Sequence, residues 1–143
     1  MNSAHDLGGR HGFGPVAHES EQSEPVFHTD WERKALALTL ATGFLGRWNI
    51  DESRHARESQ HPVDYLRQTY YENWLSGLEK LLVEKGLITE EELKTGQALL
   101  KTNEELLSRV LKAEKVTEVI EKGGSSNLEI STPPVFQVGD RVQ

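Results

Sequence analysis

Few side chains in this sequence have types and spacing suited to chemistry, and each also has an ordinary structural reading. Arg54 lies one turn into a predicted helix, within the stretch from Trp48 to Gly86 that also carries Trp74 and all three tyrosines. A guanidinium is always charged and presents a fixed fork of donors, so it can grip two anionic oxygens at once. By position alone, however, Arg54 reads as a solvated helix charge. Tyr70 and Trp74, at i and i+4, share one helix face and read first as core. The histidines offer less. His5, His11 and His18 lie in or beside glycine-rich sequence whose flexible spacing fixes no ligand geometry, and His55 and His61 have no carboxylate partner at a fixed spacing. HDLGGRHGFGP has the glycines of a phosphate cradle but lacks the Lys-Ser/Thr ending, the preceding strand and the following helix. Glu90, Glu91 and Glu92 suit the positive end of a helix dipole and need no further role.

Composition narrows the classes of function. Among 143 residues there are 23 acids and 16 bases, a net charge of -7 without the concentrated basic surface that phosphate binding needs, which argues against nucleic acid. There is no cysteine, so neither a disulfide nor a thiolate metal site can form within the chain, and no metal ligands are assigned to it. The first residues lack the apolar core of a signal peptide. The most apolar run, Ala35 to Leu45, falls short of the about 20 residues that span a bilayer. No membrane association is expected, and a cytoplasmic location fits this usage.

These residues need elements to position them, and the pattern predicts a mainly α fold. Residues 1–26 hold Gly8, Gly9, Gly12, Gly14, Pro15 and Pro25, and read as an extended N-terminal arm. Thr29 to Glu32 fits a capping box that opens a helix, with Trp31, Ala35, Leu38, Thr42 and Leu45 on one face and Leu36, Leu40 and Phe44 beside them. So apolar a helix exceeds what a small domain buries by itself. Asn49 and Glu52 cap a second, short helix that carries Arg54 and ends before His61-Pro62. A long helix is predicted from Val63 to Lys85, with Leu66, Tyr70, Trp74, Leu78, Leu81 and Leu82 as its core stripe and Gly86 as its stop. Thr89 to Glu92 predicts a polar helix through about Lys101, and Thr102 to Glu105 another reaching Gly123. A helical domain over 27–122, a linker over 123–134 and a strand starting at 135 complete the division.

In order and in register, MNSAHDLGGRHGFGP, EPVFHTDWE, IDESRH, YLRQTYYENW and LLVEKGLIT resemble the amino-terminal half of the nitrile hydratase β subunit. The likeness covers residues 1–93 closely and extends more loosely to VFQVGDRV. It implies that 135–143 are the first strand of a truncated SH3-like β-barrel. The implied activity is hydration of a small nitrile to an amide in a complex with an α subunit, as an αβ heterodimer or heterotetramer. It also implies a low-spin Fe(III) or Co(III) in the α subunit, held by cysteine sulfurs and backbone amides, with two of the cysteines oxidised.

By the same resemblance, Arg54 matches the arginine that donates hydrogen bonds to the oxidised cysteine oxygens. Ile50, Ser53, Tyr70 and Trp74 match pocket positions, with Ser53 standing where the family usually has phenylalanine. His5, Gly8, Gly9, Phe13, Trp31, His55 and Tyr71 are expected at the subunit interface. An accessory protein for α-subunit maturation or metal delivery, and a helical binding module without chemistry, are the alternative readings. Retention of Arg54 and TYYENW favours the enzyme subunit.

Overall fold

Backbone amides at a helix start have no partner within the helix, and this sequence supplies one repeatedly. In the computed structural model, which describes residues 18–99, 101, 103–123 and 132–141, capping boxes open α1 (Asp30–Gly43), α2 (Ile50–Glu58), α4 (Tyr70–Glu84) and α5 (Glu90–Thr95). At Asn49 the box is reciprocal: Glu52 N donates to Asn49 Oδ1 at 2.8 Å and Asn49 N to Glu52 Oε2 at 2.9 Å. Glu32 closes the first box from a buried position, accepting from the backbone N–H groups of His28 and, at 3.1 Å, Thr29. The mainly helical expectation is borne out.

The predicted Val63 to Lys85 helix is two helices. α3 (Pro62–Arg67) stops at Gln68, and α4 starts afresh at Thr69, whose N–H donates to Glu72 Oε2 at 2.7 Å. The apolar spacing runs unbroken from Leu66 to Trp74, but Gln68 is extended, with φ −70° and ψ 144°. Thr69 to Glu72 is a fourth instance of the same capping signal. The next helix also ends earlier than predicted. Gly96, at φ 66°, closes α5 in the left-handed region that glycine enters without a Cβ penalty. Asn103 caps α6 (Glu104–Arg109), donated to by Glu105 N at 2.9 Å, and Thr102 lies outside the described residues.

The chain divides into two compact units, 1–111 and 112–143. In the first, α4 packs against both α1 and α2. Its buried residues are Gly77, Leu78 and Leu81, and the buried apolar residues on the helices it packs against are small: Ala35 on α1 and Ala56 on α2 are 3% and 2% exposed. Gly77 permits a close approach, because a Cβ there would lie 2.5 Å from Arg57 Cγ and 3.2 Å from Arg57 N. Polar ties run alongside. Lys85 Nζ reaches Glu52 Oε1 and Lys80 Nζ reaches Ser59 Oγ, both at 2.6 Å. The Lys85 hydrogen bond, aided by the Asn49 N–H, lowers the Glu52 pKa below its usual value of 4.5.

Much apolar surface stays exposed. Leu38 is 54%, Leu40 43% and Phe44 41% accessible, as expected of a helix too apolar for so small a domain to cover. Of the predicted stripe, Leu78 and Leu81 form core, while Leu66 and Tyr70 remain open.

The second unit contains a short 3-10 turn (Ala113–Lys115) running into α7 (Val116–Lys122), which ends at Gly123. The strand expected from position 135 does not form within the described residues. Instead Asp140 N donates to Gln137 O at 3.1 Å and Gln137 N to Asp140 Oδ2 at 2.8 Å, a turn that includes Gly139 at φ 103°. A strand satisfies its backbone only through a neighbouring ladder, and without one these groups close locally. The extended arm expected over 1–26 lies mostly outside the described residues, which begin at His18. No described helix is long and apolar enough to cross a membrane.

Candidate functional site

From its N-cap Asn49, α2 runs so that successive residues of one helix line two different grooves. Ile50 and Ser53 line an apolar groove of ≈ 400 Å³ with Leu40, Phe44, Trp48 and Trp74. Arg54 lines a second groove of ≈ 400 Å³, together with Tyr65, Tyr70, Asn73 and Trp74. Residues 53 and 54 sit about 100° apart around a helix, which is why neighbours in sequence serve separate grooves. Four of the five expected pocket or catalytic positions are thereby split between the two, and Trp74 belongs to both.

Arg54 is largely uncommitted. Its side chain is 58% exposed, and its one ion-pair neighbour among the described residues, Asp51 Oδ1, stands 3.7 Å from Nη1, beyond hydrogen-bond range. A guanidinium with an open fork beside aromatic walls can receive two anionic oxygens from outside the chain.

The aromatic wall is a continuous cluster. Tyr70 meets Tyr71 edge-on at 5.1 Å between centroids and Trp74 at 5.6 Å, and Phe27 approaches Tyr71 at 5.4 Å. Burial raises the Tyr71 phenol pKa above its usual 10.0, with Tyr70 and Glu32 adding to the rise. Tyr71 faces a separate cleft of ≈ 520 Å³ with Glu21, Glu24, Val26 and His28. His28 Nε2–H donates to Glu19 Oε1 at 2.9 Å, which raises its pKa above 6.5.

The remaining expected positions fall elsewhere. Trp31 and His55 are exposed on α1 and α2 and line neither groove, and His5, Gly8, Gly9 and Phe13 lie outside the described residues. Two residues of the site have no sequence-level assignment. Arg57 lays its guanidinium carbon 4.5 Å from the Trp74 ring centroid, and Gly77 gives its stem room. A glycine inside an otherwise helical pattern was the available signal for that close approach. No group of three or more His, Asp or Glu able to hold a metal occurs among the described residues.

Comparison with known proteins decides the family. The family described as nitrile hydratase beta subunit, N-terminal, matches residues 1–122. The chain belongs to the nitrile hydratase β-subunit family. It is 40% identical over 145 residues to the nitrile hydratase subunit beta of Pseudomonas putida, covering 100% of this chain and 63% of that relative. It is 34% identical over 146 residues to the low-molecular weight cobalt-containing nitrile hydratase subunit beta of Rhodococcus rhodochrous, covering 99% and 64%. The cobalt-containing nitrile hydratase subunit beta of Pseudonocardia thermophila is 32% identical over 148 residues, at 100% and 63% coverage. The chain thus spans just under two thirds of the length of these nitrile hydratase β subunits. Both grooves and Arg54 lie within the part matched to the family.

Proposed function

We propose that this chain forms the β-subunit wall of a nitrile hydratase active site, completed by an α subunit, in which a small nitrile is hydrated to its amide. The observation that carries the reading is the open fork of Arg54 beside Tyr70 and Trp74, in a groove it shares with Glu58 and where its ion-pair neighbour among the described residues, Asp51, stands beyond hydrogen-bond range. Such a donor set waits for anionic oxygens brought by another chain.

A cobalt or iron ion fits this arrangement only as the partner's. This chain has no cysteine, and the described residues hold no cluster of metal-ligating side chains. When bound in the α subunit, Co(III) or Fe(III) supplies Lewis acidity to the reaction. Arg54 donates hydrogen bonds to the oxidised cysteine oxygens of that partner, each bond to a charged group contributing about 1.5–3 kcal/mol. Ile50, Ser53 and Trp74 surround the hydrocarbon part of the nitrile and exclude water from it, while Tyr70 offers a phenol at the polar side. Serine at position 53 leaves more room there than a phenylalanine would.

The uncovered faces of α1 and α2 are where the α subunit sits. Leu38, Leu40, Phe44 and Ile50 are exposed together with Trp31, and His55 and Tyr71 join the same interface. His5, Gly8, Gly9 and Phe13 contribute to the same interface. Residues 123–134 link this helical domain to an SH3-like barrel that starts at 135–143, where pairing with further strands gives VFQVGDRVQ its ladder. Turnover assays of the purified chain, alone and after mixing with a metal-loaded α subunit and a full-length β subunit as control, test this function. No hydration by the chain alone is expected, and turnover without any cysteine-bearing partner contradicts it.

A further inference from the structure

Among the described residues, the two grooves share only Arg57 and Trp74 in their linings. Three contacts hold Arg57 in place. Its Nε–H donates to the Ser53 carbonyl at 3.2 Å, one turn back along α2. Its stem lies where a side chain on Gly77 would otherwise stand, 2.5 Å from the position of a Cβ. Its guanidinium carbon sits 4.5 Å from the Trp74 ring centroid, within the range of an attractive cation–π contact. A long side chain fixed at stem, Nε and head is a wall rather than a wandering surface charge.

The geometry points to the Arg57–Trp74 stack as the partition that closes the apolar groove and sets the size of the hydrocarbon group it accepts. On one side stand Leu40, Phe44 and Ile50, suited to a carbon skeleton; on the other, Arg54 and Tyr70 supply polar groups. With Arg57 in place, a substituent entering the apolar groove ends against its guanidinium. Without that side chain the groove opens into its neighbour. Arg57 is therefore a specificity-determining residue, and this assignment rests on the nitrile-hydration reading given above. Its sequence position disguises it, since i+3 from Arg54 on a charged helix it resembles one more solvated base.

The test is a KM and kcat comparison of benzonitrile against acetonitrile in the assembled αβ enzyme, with the wild-type residue, Arg57→Ala and Arg57→Lys. The alanine variant shifts the kcat/KM ratio towards benzonitrile by about tenfold or more, mainly through KM, the scale on which hydrophobic pockets discriminate size. Lysine keeps the length and charge of the wall without its planar head, and shifts the ratio less. A ratio within about twofold of wild type for both variants overturns size selection while leaving the hydration function intact. Failure of the wild-type assembly to hydrate either nitrile overturns both together.

A second readout needs no turnover. In this chain carrying Trp31→Phe and Trp48→Phe, the fluorescence of Trp74 reports its own cover, and Arg57→Ala raises its quenching by acrylamide. Equal quenching with and without the Arg57 side chain shows that no such wall exists.

Discussion

The two halves of α4 carry the same apolar spacing and meet different fates. Towards its C-terminal end, Leu78 and Leu81 are 4% and 3% exposed, on a helix that packs against both α1 and α2. At its N-terminal end Tyr70 is 66% exposed, and Trp74 stands between two open grooves. The difference lies in the partners. Gly77 lets α2 approach closely and small buried residues, Ala35 and Ala56, stand on the helices packed against α4, whereas the N-terminal end has grooves on both sides and aromatic neighbours. Periodicity marks a face of a helix, but the residues opposite decide whether that face becomes core or site.

The sharpest way to break this contrast is truncation at each end. Leu81→Ala should cost about 2–5 kcal/mol of stability by urea denaturation, the range for buried leucines that leave a cavity. Tyr70→Ala should cost about 1 kcal/mol or less, since it removes ring contacts but little burial. Equal losses at the two positions would erase the distinction between core half and site half.

Gly77→Ala comes next. In an exposed helix this change stabilises by about 1 kcal/mol. Here the added methyl meets Arg57 at its Cγ and its backbone, so overpacking should outweigh the helical gain and leave a net loss of about 1 kcal/mol. A stabilised variant would show that α2 and α4 are not in close contact at that point.

The smallest effect is electrostatic. Glu52 is held below its usual pKa of 4.5 by Lys85, so its contribution to stability is fully present above 4.5 and fades as pH falls through the depressed value. Glu52→Gln should therefore weaken the chain at neutral pH and flatten the acid limb of a denaturation-midpoint profile. Because both side chains are substantially exposed, the difference should shrink in high salt. An acid limb as steep in the variant as in the wild type would assign the pH dependence to other carboxylates.

Much of the helical layout was legible from capping chemistry, because a Thr or Asn followed three residues later by Glu satisfies orphan amides locally. Thr29, Asn49 and Thr89 each open a helix where that signal stands. Thr69 carries it too, but the unbroken spacing of Leu66, Tyr70 and Trp74 concealed the break at Gln68. Gly96 and Asn103 set limits that the apolar pattern did not show. The predicted strand at 135 depended on neighbours that one alternating segment does not specify.

The site was less legible from residue properties alone. Arg54, Ile50, Ser53, Tyr70 and Trp74 stood out through family likeness, since helix spacing by itself gave Arg54 to solvent and the aromatic pair to core. Arg57 and Gly77 stayed hidden because each matters only through the other, across a contact between two helices that no local pattern encodes.

The proposed role of Arg54 is tested most directly by Arg54→Lys in the assembled αβ enzyme, with subunit association measured beside turnover. Lysine retains the positive charge and loses the two-pronged donor geometry. The expected result is a fall in kcat of about 10²-fold or more with association intact, the scale for removing a donor to developing charge. An unchanged rate would make Arg54 an ordinary surface cation and contradict its place at the partner's oxidised cysteine ligands.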